Sequence, residues 1–156
     1  MTERSLRLVI GVLALAGLAI AGYLTYVHYA GIKPLCLSSG GCETVQASRY
    51  AKLGGVPVAT LGLGGYAVIA LSVLWSAEAA RVIGAGAALV GFGFSAYLTY
   101  RELFTIDAIC QWCVASAVIM TVLAVLTTWR LLRADQLSPA RPNSRAGSPR
   151  TPTSAA

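Results

Sequence analysis

At 156 residues the chain is long enough for one domain, and 56% of it is hydrophobic while only 12% is charged. Soluble domains average about 25% charged residues, so lipid rather than water is the expected main solvent. The net charge of +6 does not mark a nucleic-acid binder, because the arginines gather at the chain ends and no basic helix face with interleaved aromatics is present to track phosphates.

Four apolar segments follow in order, at about 8–29, 58–75, 82–100 and 109–129. Each holds 18 to 22 residues, enough to cross a hydrocarbon core roughly 30 Å thick. In lipid such segments must be helices, because their backbone groups find no water. The expected fold is an all-α integral membrane protein: a four-transmembrane-helix bundle within 1–133, capped by an extracytoplasmic loop or half-helix. The first segment also has the form of a signal peptide, with Arg4 and Arg7 ahead of an apolar run, but it is long for an h-region. Small residues recur in the helices (Gly17 with Ala21, Gly62 with Gly64 and Gly65, Gly84 with Ala88, Ala87 with Gly91), where they let backbones approach closely. The stretch 134–156 is rich in Pro, Ser, Arg and Ala without an apolar period, and reads as a disordered cytoplasmic tail.

An internal repeat links the first and third segments. Tyr23-Leu24-Thr25-Tyr26, nine residues, then Cys36 is matched by Tyr97-Leu98-Thr99-Tyr100, nine residues, then Cys110, at an offset of 74 that Ile32 and Ile106 share. Each of these helices leads out to a cysteine. Arginines 4, 7, 81, 130, 133, 141, 145 and 150 fall at the other helix ends. By the positive-inside rule those places and both termini face the cytoplasm of a cell membrane. The loop 30–57 and the link 101–108 then face outward with all four cysteines, despite Lys33, Arg49 and Lys52 in the loop. Tyrosines 23, 26, 29, 97 and 100 with Trp112 are placed at the outer interface, and Trp75 and Trp129 at the inner one.

Cys36 and Cys42 enclose Leu-Ser-Ser-Gly-Gly, so a bridge between them closes a small, flexible loop suited to thiol exchange. A structural disulfide is the plainer reading of the same pair. Cys42, Val45 and Ser48 share a face if the stretch after Cys42 is helical, and that face could lie over the bundle. Cys110-Gln111-Trp112-Cys113 puts two thiols three positions apart at the start of the fourth segment. On a helix they share a face, and the first-turn N–H groups and macrodipole favour the thiolate. Four cysteines also permit a zinc site, although the first pair is spaced too widely for usual ligands. His28, near a helix end, reads as an interfacial polar residue. An outer pair that takes electrons from a soluble protein and an inner pair that delivers them to a lipid-soluble acceptor would form a relay. The abundant two-electron acceptor of a bilayer is a quinone, held in an apolar pocket between helices. A small four-helix transporter or metal-handling protein with structural disulfides is the alternative, as is an assembly subunit. Against a transport path, Glu43, Glu78, Glu102 and Asp107 all fall near interfaces rather than mid-membrane.

The pattern resembles the vitamin K epoxide reductase family, specifically its bacterial members. The resemblance rests on Cys36, Cys42, Val45 and Ser48, on Gly55-Val56-Pro57-Val58 and 62–66, and on Cys110-Gln111-Trp112-Cys113, within about residues 6–132. It implies a four-helix bundle around a quinone, menaquinone or ubiquinone, with no metal. It implies that Cys110 and Cys113 are the active-site pair, with Cys113 the thiolate that faces the quinone and forms a transient adduct or charge-transfer complex. Cys110 would exchange with Cys42, and Cys36 would meet the partner protein. Ser48, Val58, Gly62, Tyr66 and Ala117 would stand around the quinone. Val58 and Ala117 occupy the positions where animal relatives carry an asparagine and a tyrosine, so here other groups must orient the ring. The implied partner is a secreted thioredoxin-fold protein acting in trans, whose disulfide is regenerated, since no fused thioredoxin-like domain follows 133.

Overall fold

The computed structural model describes residues 2–36 and 41–137. Residue 1, residues 37–40 of the small cysteine loop and residues 138–156, most of the tail expected to be disordered, lie outside the described residues. Helix α1 spans Glu3–Ala30, α2 Gly41–Ala47, α3 Val58–Leu74, α4 Glu78–Arg101 and α5 Gln111–Leu137. Between α2 and α3 lie a 3-10 turn, Arg49–Ala51, and two short strands, β1 (Lys52–Leu53) and β2 (Val56–Pro57).

The helix ends differ from the apolar limits for local reasons. Helix α1 starts five residues early because Thr2 caps it, its hydroxyl accepting from the Ser5 N–H at 3.2 Å. It stops at Gly31, which takes the left-handed conformation at φ 63°. Helix α4 gains a first turn carrying Glu78, suited to a helix N-terminus. Helix α5 runs past Trp129 to Leu137, so 134–137 is helical rather than part of a tail.

The long helices pack in a ring, α1 against α3, α3 against α4, α4 against α5 and α5 against α1. Leu6, Ile10, Ala14 and Ala21 of α1 meet Tyr66, Ile69 and Val73 of α3, Ala88 of α4, and Met120, Leu123 and Ala124 of α5. The opposite faces stay apolar: Leu8 is 64% exposed and Val90 75%. Water would penalise such a surface; lipid does not. Helices α1, α4 and α5 are long and apolar enough to span a membrane. The expected count of four spans is not met on length alone. Helix α3 has 17 residues, or about 25 Å at 1.5 Å per residue.

The two ends of the bundle differ in chemistry. At one end Arg7 donates to the carbonyls of Val73 and Leu74 and to the Ser76 hydroxyl, closing the end of α3. Nearby, the buried Arg130 pairs with Glu3 at 2.9 Å. At the other end α2, the 3-10 turn and a hairpin form a cap. In the hairpin Lys52 faces Pro57 and Leu53 faces Val56. Gly54 and Gly55, with φ of 58° and 88°, make the tight turn.

Candidate active site

All four cysteines lie at the cap end, delivered there by different elements. Cys36 follows α1 in an extended segment held at Leu35 from both sides. The Leu35 N–H donates to the Tyr23 hydroxyl at 2.9 Å, and the Leu35 carbonyl accepts from the Trp112 indole at 2.8 Å. The Tyr23 and Trp112 rings stand 5.3 Å apart. Trp112, expected to mark the membrane interface, is thus half-buried and ties the Cys36 segment to the Cys110–Cys113 turn.

Cys36 and Cys42 form a disulfide with Cα atoms 6.3 Å apart. The pair is not uniformly exposed, as the flexible-loop reading expected. Cys42 opens α2 and is 2% exposed, packed with Val45 against Cys110, while Cys36 is half-buried. The reason lies at Gly41. A β-carbon there would overlap the Ile109 carbonyl oxygen, with the Ile109 carbon at 3.3 Å. The missing side chain lets α2 press onto the strand of chain that carries Cys110. Ser48 follows α2 and donates its hydroxyl to the Val45 carbonyl at 2.7 Å.

Cys110 and Cys113 are free thiols. Cys110 sits just before α5, and its carbonyl accepts the Val114 N–H at 3.0 Å. It is fully buried, whereas Cys113, one turn into the helix, is half-buried. The hydrogen bond from the Cys113 thiol pulls the Cys110 thiol below its ordinary value, to about 7, and backbone N–H groups of Cys113 and Trp112 add to this against the cost of burial.

Glu102, expected near an interface, stands at the cap end just after α4, and there it is buried within the protein, 4% exposed. Helix α4 ends at Arg101 in a π-helical turn, Glu102–Ile106. Asp107 then adopts the left-handed conformation at φ 51° and returns its N–H to the Glu102 carbonyl. Glu102 continues α4 in helical conformation at the start of that turn. Its Oε2 accepts the Cys110 N–H at 3.2 Å, and its carboxyl also interacts with the Cys113 thiol. The available signal was its position, a lone acid at the end of an apolar helix eight residues before a cysteine.

Beneath the cap is an apolar cavity of about 740 Å³, within the range of sites that take small organic ligands. Cys113 is in its wall, with Ser48, Val58, Gly62, Tyr66 and Ala117. Cys110, Cys36 and Cys42 lie behind that wall. The Tyr66 hydroxyl donates to the Ser116 carbonyl at 2.9 Å and contacts the Ser116 hydroxyl at 2.9 Å. Arg101, also in the wall, hydrogen-bonds the Tyr97 hydroxyl at 3.2 Å and lies 5.0 Å from the Tyr50 ring centroid, pinning the 3-10 turn of the cap to α4. The cavity thus combines an apolar lining with one sulfur of the inner pair in its wall. Two of the four cysteines are joined as a disulfide, and among the described residues no group of three or more His, Cys, Asp and Glu side chains is placed to hold a metal ion.

These features meet in one arrangement: a disulfide and a dithiol in contact, backed by an apolar cavity, in a helical protein with an apolar exterior. The sequence profile of the vitamin K epoxide reductase family matches residues 8–128, which takes in α1 through most of α5 and all four cysteines. The chain belongs to the vitamin K epoxide reductase family, membrane oxidoreductases that couple disulfides to quinones.

Proposed function

We propose that this protein oxidises a secreted thioredoxin-fold protein and passes the two electrons, through its two cysteine pairs, to a membrane quinone. One observation carries the reading: Cys42 and Cys110 share a single buried cluster, with Cys36 packed on its outer side and Cys113 on the side of the cavity. Four helices would cross the membrane, with the arginine-rich end and both termini in the cytoplasm and the cap outside.

Electrons would enter at Cys36, the more accessible sulfur of the outer pair. A thiolate of the partner attacks it and releases Cys42. A second partner thiol then frees the mixed disulfide, leaving the partner oxidised and Cys36 and Cys42 reduced. Cys42 in turn attacks Cys110 of the inner disulfide, and Cys113 leaves as the thiolate. Attack of Cys36 on Cys42 restores the outer disulfide and leaves Cys110 and Cys113 as a dithiol. This last state is the one in the structure, with the outer pair oxidised and the inner pair reduced. The dithiol gives two electrons and two protons to the quinone, which becomes hydroquinone as the Cys110–Cys113 disulfide forms. A lowered thiol at Cys110 suits it as the sulfur that closes this disulfide.

The test is an absorbance titration of the purified protein with quinone and a reduced thioredoxin-fold protein, run on wild type and on Cys110→Ala. Hydroquinone formation by wild type, with a long-wavelength charge-transfer band in the variant from a stranded Cys113 thiolate, is expected. No hydroquinone and no band, with the outer disulfide inert to exchange, would overturn the relay.

A further inference from the structure

A carboxyl group buried beside the inner cysteine pair has no part in the electron path just described. Glu102 accepts from the Cys110 backbone N–H at 3.2 Å, interacts with the Cys113 thiol, and lines the same cavity wall as Cys113. No ion pair among the described residues includes it. Isolated buried carboxylates are costly, and a purely structural acceptor for one N–H group would be served by a neutral side chain. The groups that face it are few. From α5 and the link before it come Cys110 and Cys113. From α4 comes Arg101, engaged with Tyr97 and Tyr50. From α2 comes Cys42, held in the disulfide, since Glu43 is exposed and paired with Lys33 at 2.8 Å.

We propose that Glu102 is the proton carrier between the inner thiols and the acceptor in the cavity. Oxidation of the dithiol must remove two protons as well as two electrons. The Glu102 carboxylate accepts the proton of the Cys113 thiol as that sulfur commits its electron pair. The resulting carboxylic acid, already in the cavity wall, hands the proton to an oxygen of the quinone. Returned to the carboxylate, it takes the Cys110 proton as Cys110 bonds to Cys113 and delivers it to the second oxygen. The sum is one dithiol and one quinone converted to one disulfide and one hydroquinone, with Glu102 unchanged. Such a group removes the need for solvent protons at an apolar site. The proposal rests on the cavity being the quinone site.

The test compares wild type, Glu102→Gln and Glu102→Asp, each purified whole, reduced with a small dithiol and assayed with a short-chain ubiquinone analogue across pH. Glutamine keeps an oxygen for the Cys110 N–H but cannot carry the proton. Loss of a positioned acid–base group typically costs 10²–10⁴-fold. Glu102→Gln should therefore lose about 10²-fold in kcat at neutral pH with little change in the quinone KM. Its rate should climb with pH as the thiols ionise unaided, and Glu102→Asp should recover part of the loss. Wild-type rate and pH profile in Glu102→Gln would overturn the proposal. So would a pH-independent loss that Glu102→Asp does not relieve. Redox-difference infrared spectra of wild-type protein labelled with ¹³C-glutamate give a second reading, which needs no variant to fold and no quinone. A label-sensitive carboxylic-acid band that changes between the dithiol and disulfide states is expected, and its absence would overturn the proposal. If wild type makes no hydroquinone, the quinone reading falls and the infrared result still decides whether Glu102 exchanges a proton with the thiols.

Discussion

Replacing Gly41 by alanine tests whether the contact between the two cysteine pairs governs the relay. The added methyl would overlap the Ile109 carbonyl oxygen, with the Ile109 carbon and nitrogen at 3.3 and 3.4 Å. That carbonyl has little room to retreat. The next residue, Cys110, is fixed through its N–H to Glu102 at 3.2 Å and through its carbonyl to the Val114 N–H at 3.0 Å. Helix α2 must back away instead, by about 1 Å, and a misplacement of that size costs about 10²-fold in a reaction that depends on alignment. The substitution does not weaken the helix itself, because alanine in place of glycine favours helix by about 1 kcal/mol in a helix interior.

The assay is hydroquinone production driven by two donors. Under the proposed relay a reduced thioredoxin-fold protein acts through Cys36 and Cys42, whereas a small dithiol with access to the cavity would reduce the inner pair directly. Gly41→Ala should lose about 10²-fold with the protein donor and keep most of its rate with the small one. Equal rates from wild type and variant with the protein donor would refute the coupling through this contact. A fall of the same size with both donors would locate the damage in the inner pair rather than between the pairs.

Other outcomes follow from single contacts. Trp112→Phe removes the 2.8 Å hydrogen bond to the Leu35 carbonyl while leaving a ring beside Tyr23. A loss of about 1 kcal/mol in the placement of Cys36 should slow exchange with the protein donor about fivefold, read by stopped-flow mixing, without changing the small-dithiol rate. Because the Cys110 thiol is drawn down to about 7, its thiolate fraction rises as pH rises through that value. Alkylation of the reduced protein by a small reagent should thus show a midpoint near pH 7, and Cys113→Ala, which removes the donating thiol, should move that midpoint upward. Glu3→Ala strips the partner from Arg130, whose side chain is 4% exposed. With the Glu3 carboxylate half-exposed, a cost of about 1–2 kcal/mol in unfolding free energy is expected, measured by thermal or denaturant unfolding in detergent.

The sequence period and length carried the helices well and their ends poorly. Apolar runs report which residues tolerate lipid, but caps are set by single side chains such as Thr2 and by backbone turns such as Gly31. The shortfall in α3 has the same origin. Pro57 fixes where it can begin, and the chain turns at Trp75 before a full membrane thickness is covered. The cap was visible as residues but not as structure. Gly54-Gly55 and the Pro57 beside them signal a tight hairpin, whereas the seating of α2 depends on a close approach to Ile109, far away in sequence.

The same limit explains what was legible of the site. Cysteine spacing identified both pairs because a thiol pair has few other uses, and a lone acid has many. Glu102 read as an interfacial charge since it ends an apolar helix, and nothing in the sequence shows that the turn after it brings Cys110 back to its carboxylate. That turn is π-helical, a form frequent at functional sites. The repeat supplies a contrast. Tyr97 and Tyr23 occupy equivalent places, yet Tyr97 binds Arg101 of its own helix while Tyr23 binds the segment before Cys36. After the first helix of the repeat the chain leaves through a glycine cap toward an outer disulfide. After the second it turns through Glu102 toward a buried dithiol. The divergence of two similar helix ends separates the cysteine pair joined as a disulfide from the pair that borders the cavity, and it is at the second end that the buried acid stands.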